Sequence, residues 1–253
     1  MTPETEPVLT EQRDGVLLVT LNRPDALNAV NSALGEGLLA AARRLDADDS
    51  LAVAVLTGAG RAFCSGMDLK AFAAEGEPRG IEEFVHRGTA KPMIAAIEGY
   101  AVAAGLEIAL TCDLMVAGEG ARLGLPEARV GLFAGGGGLL RLGRRVPYSV
   151  AMTMALTGEP ISAPEAARYG LVSQLAPDGA ALPAALALAG RIAASSPLGV
   201  RYSKQLLRET QGRTESEFWA YQRPLLRQVL DSADAREGAV AFAERRPPRW
   251  TGR

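Results

Sequence analysis

The sequence predicts an α/β fold that ends in a run of helices. Short, nearly continuous apolar segments alternate with segments of helical periodicity as far as residue 178, whereas residues 179–253 carry helical periodicity alone. Continuously apolar strands are typical of a sheet covered on both faces. With 253 residues and 48% hydrophobic side chains, the chain is also long enough for a sizeable core. We therefore expect a core over residues 1–178 and a C-terminal helical region over residues 179–253.

Five strands are predicted in the core, each closed by turn residues. They cover residues 16–21, 51–57, 93–97, 113–117 and 171–175. Helical spacing of apolar residues predicts helices at 32–45, 137–142, 149–156 and 163–169. One more helix is expected after the loop over residues 58–70.

Four helices are predicted in the C-terminal region, at residues 182–194, 198–209, 215–230 and 233–245. Because proline lacks a backbone donor, we expect Pro224 to interrupt the third of them. Alanine-rich helices with mixed polar faces are poor cores by themselves. This region is therefore expected to pack on its own body or on another subunit.

Composition excludes several classes of protein. The 27 Lys and Arg residues nearly balance 29 Asp and Glu residues, so no global field favours nucleic acid or an anionic membrane. Two cysteines outside any CxxC pattern and a single histidine argue against structural zinc and disulfides. The longest apolar tract, residues 93–116, is interrupted by acids, which argues against a membrane span. Residues 1–7 are acidic and proline-containing, unlike a signal peptide, so a cytoplasmic location is predicted.

Two glutamates stand in otherwise apolar surroundings. Glu107 lies inside the apolar stretch 101–110, and Glu127 follows Gly124-Leu-Pro126 at a predicted helix start. An ionised carboxylate is costly to bury unless it is paired or hydrogen-bonded. The two residues are therefore candidates for a buried acid/base pair. Each also has a structural explanation, with Glu127 as an acid at a helix N-terminus and Glu107 as the partner of a buried arginine.

Two loops rich in small residues are candidates for holding negative charge. Residues 58–70 and 98–105 each follow a predicted strand and lead into a predicted helix. Such turns expose backbone N–H groups, and the dipole of a helix start favours an anion. Two converging N–H groups can stabilise a developing oxyanion. Ordinary strand-to-helix turns have the same composition, so these loops alone do not decide the function.

Ordered blocks of the sequence resemble the crotonase (enoyl-CoA hydratase/isomerase) family. They are Leu21-Asn-Arg-Pro-Asp-Ala-Leu-Asn28, Ala62-Phe-Cys-Ser-Gly-Met-Asp-Leu-Lys70, Ile97-Glu-Gly-Tyr-Ala-Val-Ala-Ala-Gly-Leu-Glu107, Gly124-Leu-Pro-Glu-Ala-Arg-Val-Gly131 and Gly135-Gly-Gly-Gly-Leu-Leu-Arg-Leu142. The resemblance continues into the C-terminal tail and so covers nearly the whole chain. It implies a spiral of ββα units, an acyl-CoA thioester substrate, and a C-terminal helical region that closes the CoA site and makes the contacts of a homotrimer or a dimer of trimers.

The resemblance also implies roles for individual residues. Glu107 and Glu127 match the two catalytic carboxylates of enoyl-CoA hydratases, and the backbone N–H groups of Met67 and Ala104 match the oxyanion hole. The matching substrate and CoA contacts are Arg23, Ala26, Leu27, Ser65, Gly66, Asp68, Leu69, Lys70 and Gly105, with the basic tail at Arg245-Arg246 as a further candidate for the phosphates. No metal or organic cofactor is implied, because CoA is part of the substrate.

The chain departs from the family pattern at both predicted oxyanion donors. Met67 stands where a small residue is frequent, and Ala103-Ala104 stand where glycines are common. Because the donor is a backbone group, either side chain is compatible with the role. The added atoms reduce the room left for an acyl chain.

Other acyl-CoA functions stay open beside hydration. They are dehydration of a carnitinyl-CoA type of substrate, double-bond isomerisation with one carboxylate, and binding of acyl-CoA without catalysis. His86 is predicted to lie on a helix surface and Cys64 to be a packing residue. The chain has no GxSxG elbow, and its one glycine-rich fingerprint lies inside a predicted helix, so a serine hydrolase and a nicotinamide enzyme are rejected.

Overall fold

The computed structural model describes residues 6–253. Residues 1–5 lie outside the described part. They make up most of segment 1–7, on which the prediction of no signal peptide rests. The strands are β1 (Val8–Arg13), β2 (Val16–Leu21), β3 (Val53–Gly58), β4 (Met93–Ile97), β5 (Tyr100–Val102), β6 (Leu114–Gly118), β7 (Arg122–Gly124), β8 (Ile161–Ser162) and β9 (Gln174–Ala176). The predicted α/β fold is confirmed.

The helices alternate with these strands and then continue alone. They are α1 (Ser32–Ala47), α2 (Leu69–Glu75), α3 (Ile81–Arg87), α4 (Ala104–Thr111), α5 (Gly138–Arg145), α6 (Tyr148–Thr157), α7 (Ala163–Arg168), α8 (Ala181–Ala193), α9 (Pro197–Glu209), α10 (Glu215–Leu230) and α11 (Ala233–Glu244). Two short 3-10 helices cover Pro24–Ala26 and Pro126–Val130.

The larger sheet has six strands in the order β1-β2-β3-β4-β6-β9, and only β1 is antiparallel to its neighbour. Side chains alternate between its two faces, as the period of a strand requires. Leu17 and Leu56 point into the main core beneath α1, whereas Val16 and Val55 point to a second cluster that α8 covers. Both faces are therefore buried, which explains why the strands are continuously apolar.

A smaller sheet, β5-β7-β8, lies beside the larger one, and α4 packs against it. Seven of the eight residues of α4, from Gly105 to Thr111, are buried. A helix that is buried around its whole circumference needs apolar residues on every side. This explains why the stretch around Glu107 shows no amphipathic pattern.

Several predicted elements differ from the structure. Helix α10 runs unbroken through Pro224, so the predicted interruption is wrong: a proline removes one intrahelical hydrogen bond, and fifteen other residues and a capping box at Thr214 maintain the helix. The strand predicted at 171–175 is the shorter β9. Strands β5, β7 and β8 have two or three residues each, which is too short for a periodic signal.

The C-terminal helices divide into two groups. Helix α8 packs on the larger sheet, whereas α10 packs against α9 and α11. Lys204 on α9 anchors the second group to the α/β body, because its buried Nζ donates to Asp113 Oδ2 at 2.7 Å, to the Lys91 carbonyl at 2.8 Å and to Thr89 Oγ1 at 3.1 Å.

No single helix within residues 6–253 is long and apolar enough to cross a membrane. Helices α8 and α9 reach that length and composition only as a pair, and they are bent by 109° at their junction.

Candidate active site

Glu107 lies in the first turn of the buried helix α4, and its carboxylate is held by backbone. Oε1 accepts a hydrogen bond from the N–H of Gly138 at 2.9 Å, and the side chain is 6% exposed. Burial raises the pKa of Glu107, while the N–H groups of Gly138 and Gly136 and the charge of Arg141 oppose the rise. Glu107 makes no ion pair with any of residues 6–253. The alternative of a buried Glu–Arg pair is therefore not what the structure contains.

Two glycines of the run Gly135–138 lie directly against this carboxylate. A Cβ atom at Gly136 would lie 2.7 Å from Glu107 Oε2, and one at Gly138 would lie 2.9 Å from Oε1. Real Cβ atoms do not approach oxygen so closely. Glycine therefore lets the chain pass near enough to the carboxylate for its N–H groups to reach it.

Glu127 is placed by the 3-10 helix that follows β7. Its Oε2 is buried and has no hydrogen-bond partner within residues 6–253. A buried acceptor without a partner costs about 1–3 kcal/mol. Burial raises the pKa of Glu127 from 4.5 to about 7, and the charge of Glu107 adds to the rise. Glu127 does lie in the first turn of its helix, as the structural explanation expects, and its own backbone N–H opposes the rise of its pKa, but no side-chain capping hydrogen bond is formed there.

The two carboxyl groups lie within electrostatic reach of each other but in different surroundings. Glu107 is held by backbone N–H groups that favour its ionised form, whereas Glu127 has a buried oxygen without a donor. These different surroundings hold the two protons at different strengths. This arrangement suits a site in which one carboxyl group accepts a proton and the other supplies one.

The two predicted N–H loops meet beside this pair. Loop 62–67 runs parallel to β5, with Cys64 N–H donating to the Tyr100 carbonyl at 2.9 Å and Val102 N–H donating to the Cys64 carbonyl at 3.1 Å. A Cβ atom built on Gly66 would lie 3.8 Å from the backbone nitrogen of Ala104. Neither Met67 N–H nor Ala104 N–H donates a hydrogen bond to any of residues 6–253. The predicted oxyanion donors are thus neighbouring and available.

Two residues fix the spacing of these loops. Gly105 allows close approach, since a Cβ atom there would overlap the carbonyl oxygen of Cys64. Ala103 has φ 51° and ψ −130°, a conformation that favours glycine and costs about 1–3 kcal/mol for other residues. The departure from glycine at Ala103 therefore strains the turn that presents Ala104 N–H. The Ala103 N–H donates to the Gly124 carbonyl at 3.0 Å, which links this turn to the strand that leads to Glu127.

A third loop, residues 22–30, packs against the first. Its anchor is Asn28, which is fully buried and donates to the carbonyls of Ala59 at 2.9 Å and Ala62 at 2.8 Å. The sequence reasoning did not single out Asn28. Asn28 has a positive φ of 56°, a conformation that asparagine tolerates better than most residues. An asparagine within a predicted loop was therefore the one available signal for this residue.

Arg23 and Asp68 form an ion pair at 3.0 Å that joins this third loop to the start of α2. Asp68 also caps α2, since its Oδ1 accepts from Ala71 N–H at 3.2 Å. The Ala71 N–H first, and Arg23 next, lower the pKa of Asp68. These two residues therefore brace the loops, and the predicted contact of Arg23 with phosphate stays a prediction.

The other predicted contact residues lie along the same loops. Leu27 has a left-handed conformation and its carbonyl accepts from Ser65 N–H at 3.0 Å, so Ala26 and Leu27 lie next to Ser65. Leu69 and Lys70 are exposed at the start of α2. The structure therefore brings the predicted residues of loop 22–30 and of loop 58–70 together where the two loops meet.

The basic C-terminal tail is placed differently. Arg246 forms ion pairs with Glu237 and Glu244, both at 2.6 Å, on or beside α11. Arg245 caps the C-terminus of that helix in a left-handed conformation. In the single chain, both residues stabilise α11, and the phosphate role predicted for them has no support from these contacts.

Other candidate groups have ordinary environments. His86 is exposed on α3, as predicted, with its side chain 65% accessible. Cys64 and Cys112 are buried, and burial raises the pKa of each thiol to about 12, so neither is a nucleophile at neutral pH. In the described part of the chain, no group of three His, Cys, Asp or Glu residues is placed to hold a metal ion.

Comparison with known proteins identifies relatives across the whole chain. The family model described as enoyl-CoA hydratase/isomerase matches residues 11–253. Enoyl-CoA hydratase EchA19 of Mycobacterium tuberculosis is 41% identical, with 97% of this chain and 96% of that protein covered. The crystal structure of an enoyl-CoA hydratase from Mycobacterium tuberculosis H37Rv superposes with a TM-score of 0.94 at 51% identity, covering 98% of this chain and 100% of that one.

A relative named for the opposite direction of chemistry is nearly as similar. Carnitinyl-CoA dehydratase of Proteus mirabilis is 39% identical, with 95% of this chain and 97% of that protein covered. Overall identity therefore does not separate addition of water from its removal, and the site has to carry that distinction.

Proposed function

The chain belongs to the enoyl-CoA hydratase/isomerase family, and from that premise we propose that it adds water across the 2,3 double bond of a 2-enoyl-CoA thioester. The observation that carries the proposal is the pair Glu107 and Glu127, two buried carboxyl groups in unlike surroundings beside two free backbone N–H groups. A single carboxylate would suffice for moving a double bond, whereas activating water and protonating carbon benefit from two.

The N–H groups of Met67 and Ala104 are proposed to bind the thioester oxygen. As water adds to C3, electrons move from the double bond onto this oxygen and give an enolate. Two prearranged donors stabilise that charge more than the neutral carbonyl, and loss of one such donor typically costs 10²–10³-fold in rate. The free N–H of Ala104 also lies at the start of α4, where the helix dipole adds to the effect.

We assign the two proton transfers from the surroundings of the carboxyl groups. Glu107, whose ionised form is favoured by two N–H groups and Arg141, takes a proton from the attacking water. Glu127, which holds its proton up to about pH 7, protonates C2. The two transfers balance, since one carboxylate gains the proton that the other loses. The buried Oε2 of Glu127 gains a partner when water or substrate is bound.

The test is turnover of crotonyl-CoA, followed by loss of the enoyl-thioester absorbance and by product mass. The wild-type protein is expected to yield a product heavier by one water. Glu127→Gln and Glu107→Gln are each expected to lower kcat by about 10²–10⁴-fold, because each removes one general acid or base. Glu77→Gln, at an exposed position, is the control and is expected to match the wild type. Near-normal turnover in either active-site variant would contradict the proposal.

The pH dependence tests the assignment of roles. In hydration Glu127 must carry its proton, so kcat/KM is expected to fall as the pH rises through about 7. In the reverse direction the ionised form of Glu127 removes the C2 proton, so the rate of dehydration is expected to rise over the same range. Measuring both directions on one substrate pair checks the sign. Opposite trends would mean that the roles of the two glutamates are exchanged.

Dehydration of a substituted 3-hydroxyacyl-CoA is the second candidate, because carnitinyl-CoA dehydratase is 39% identical to this chain. The same residues would act in reverse. Product mass separates the possibilities: a gain of water supports hydration, a loss from a hydroxyacyl substrate supports dehydration, and unchanged mass with a moved double bond supports isomerisation. Binding of the thioester without any turnover would support a non-catalytic protein.

We further propose that the protein assembles as a homotrimer or a dimer of trimers. Most of the exposed large apolar side chains lie in two areas, one between residues 130 and 156 and the other on α9–α11. The most exposed are Phe133 at 77%, Tyr148 at 76% and Phe242 at 88%. Exposed apolar surface of this extent marks an interface. Light scattering is expected to give three or six times the 26.5 kDa of the chain, and a mass of one chain would contradict the assembly.

The cytoplasmic location and the need for no metal or organic cofactor remain part of the proposal. If no metal is needed, the protein is expected to keep full activity after exhaustive dialysis against a chelator.

A further inference from the structure

A cavity lies at the opposite end of α4 from Ala104. Its volume is about 960 Å³, and it is lined by the last turn of α4 and by parts of α5, α8 and α9. Because α4 rises about 10 Å over its length, the cavity is separated from the predicted oxyanion donors by the body of the helix. We call it the arginine cavity, after Arg141, Arg144, Arg145, Arg191 and Arg208 in its wall.

The charge of this wall differs from that of the chain. The whole sequence has 27 basic and 29 acidic residues, but the cavity is lined by six basic side chains, the five arginines and Lys204, and by one acidic side chain, Asp113. Lys204 pairs with Asp113 at 2.7 Å, so each neutralises the other. Five arginines then remain without a carboxylate in the cavity.

The partial negative charges at helix C-termini offset only part of this positive charge. Arg141 donates to the Val85 carbonyl near the end of α3, and Arg145 donates to the Cys112 carbonyl at 2.7 Å after the end of α4. A helix C-terminus carries about half a negative charge, so two of them offset about one arginine. Roughly four positive charges are left without compensation.

Contacts to carbonyl groups hold three of the five guanidinium groups, those of Arg141, Arg145 and Arg208, without using up their donors, whereas Arg144 and Arg191 are exposed. A guanidinium has five N–H donors. Arg145 and Arg208 use one Nη each, the latter on the Thr89 carbonyl at 3.4 Å, and Arg144 and Arg191 donate to no residue in the range 6–253. Burial, followed by the neighbouring Arg208, lowers the pKa of Arg141, and Arg208 also acts to lower that of Arg145. The like charges therefore repel one another while donors remain free.

Apolar side chains form the rest of the wall. They are Leu110, Leu114, Leu140, Leu188, Ile192, Val200 and Leu207. A cavity of this size suits a small molecule, and a few fixed polar groups in an apolar wall are the usual pattern of a ligand site. Guanidinium groups bind phosphate by paired hydrogen bonds. We propose that the arginine cavity is a second ligand site, for a small molecule with phosphate groups on an apolar body.

Inorganic pyrophosphate is the probe for the charged part of this ligand. Calorimetric titration of the full-length protein is expected to show binding of one pyrophosphate per chain. The double variant Arg144→Gln/Arg208→Gln is expected to lose about tenfold in affinity for each arginine removed, because charge-assisted hydrogen bonds are lost. Arg227→Gln, an exposed arginine on α10 outside the cavity, is the matched control and is expected to bind as the wild type does. Arg141 is left unchanged because it also donates to the Gly136 carbonyl beside Glu107.

A second control separates this site from the proposed CoA site. Lys70→Gln changes a predicted phosphate contact there, and Glu127→Gln removes the proposed catalysis; both are expected to keep pyrophosphate binding, so the test does not depend on the proposed function. No binding, binding unchanged in the double variant, or binding lost in Lys70→Gln would overturn the second site. If a neighbouring copy fills the cavity in the assembled protein, the titration shows no binding and the proposal fails.

Two further titrations identify the apolar body. ADP carries phosphate on a flat body, and octyl phosphate carries it on a flexible one. For each ligand, comparison of the wild type with the double variant gives the part of the affinity that depends on Arg144 and Arg208. If one of these two ligands shows tighter arginine-dependent binding than pyrophosphate, the result supports an apolar body of that ligand's kind. If neither binds more tightly than pyrophosphate, the apolar wall has no role in recognition and that part of the proposal is wrong.

Discussion

The arrangement of the site depends on one constraint: a carboxylate is buried in an apolar helix and only backbone N–H groups satisfy it. Glu107 has no ion-pair partner in the described residues, so the run Gly135–138 has to pass close enough to donate. This closeness fixes where α5 begins, and Arg141 in its first turn then reaches back to the Gly136 carbonyl. An apolar core therefore contains an ionisable group whose environment is set by main-chain geometry.

The pair of carboxyl groups gains its asymmetry from the same geometry. One carboxyl group has backbone donors and the other has a buried oxygen without one, so their affinities for protons differ although the residue types are identical. The site also carries two energetic costs, the strained backbone of Ala103 and the unsatisfied oxygen of Glu127, and such costs cluster at functional sites.

Much of this could be predicted from the sequence, for identifiable reasons. Long apolar strands and capped helices such as α10 leave local signals, and unexpected acids at Glu107 and Glu127 mark the site because burial of charge is costly. Contacts between distant segments leave no such signal. Neither the burial of Asn28 between two loops nor the pairing of Arg23 with Asp68 follows from periodicity. The ion pairs of Arg246 with glutamates on and beside α11 likewise depend on tertiary structure, as does the gathering of arginines from α5, α8 and α9.

The central claim is that the close approach of the glycine run holds Glu107 in a catalytic position. The most direct test compares kcat/KM for crotonyl-CoA in Gly138→Ala and Gly143→Ala, two substitutions on the same helix. A Cβ atom at Gly138 would meet the Glu107 carboxylate, while one at Gly143 meets nothing within 4 Å. The account predicts a loss of about 100-fold or more for Gly138→Ala with the fold retained, since small displacements of catalytic groups have effects of that size, and no loss for Gly143→Ala. Equal activities in the two variants would contradict it.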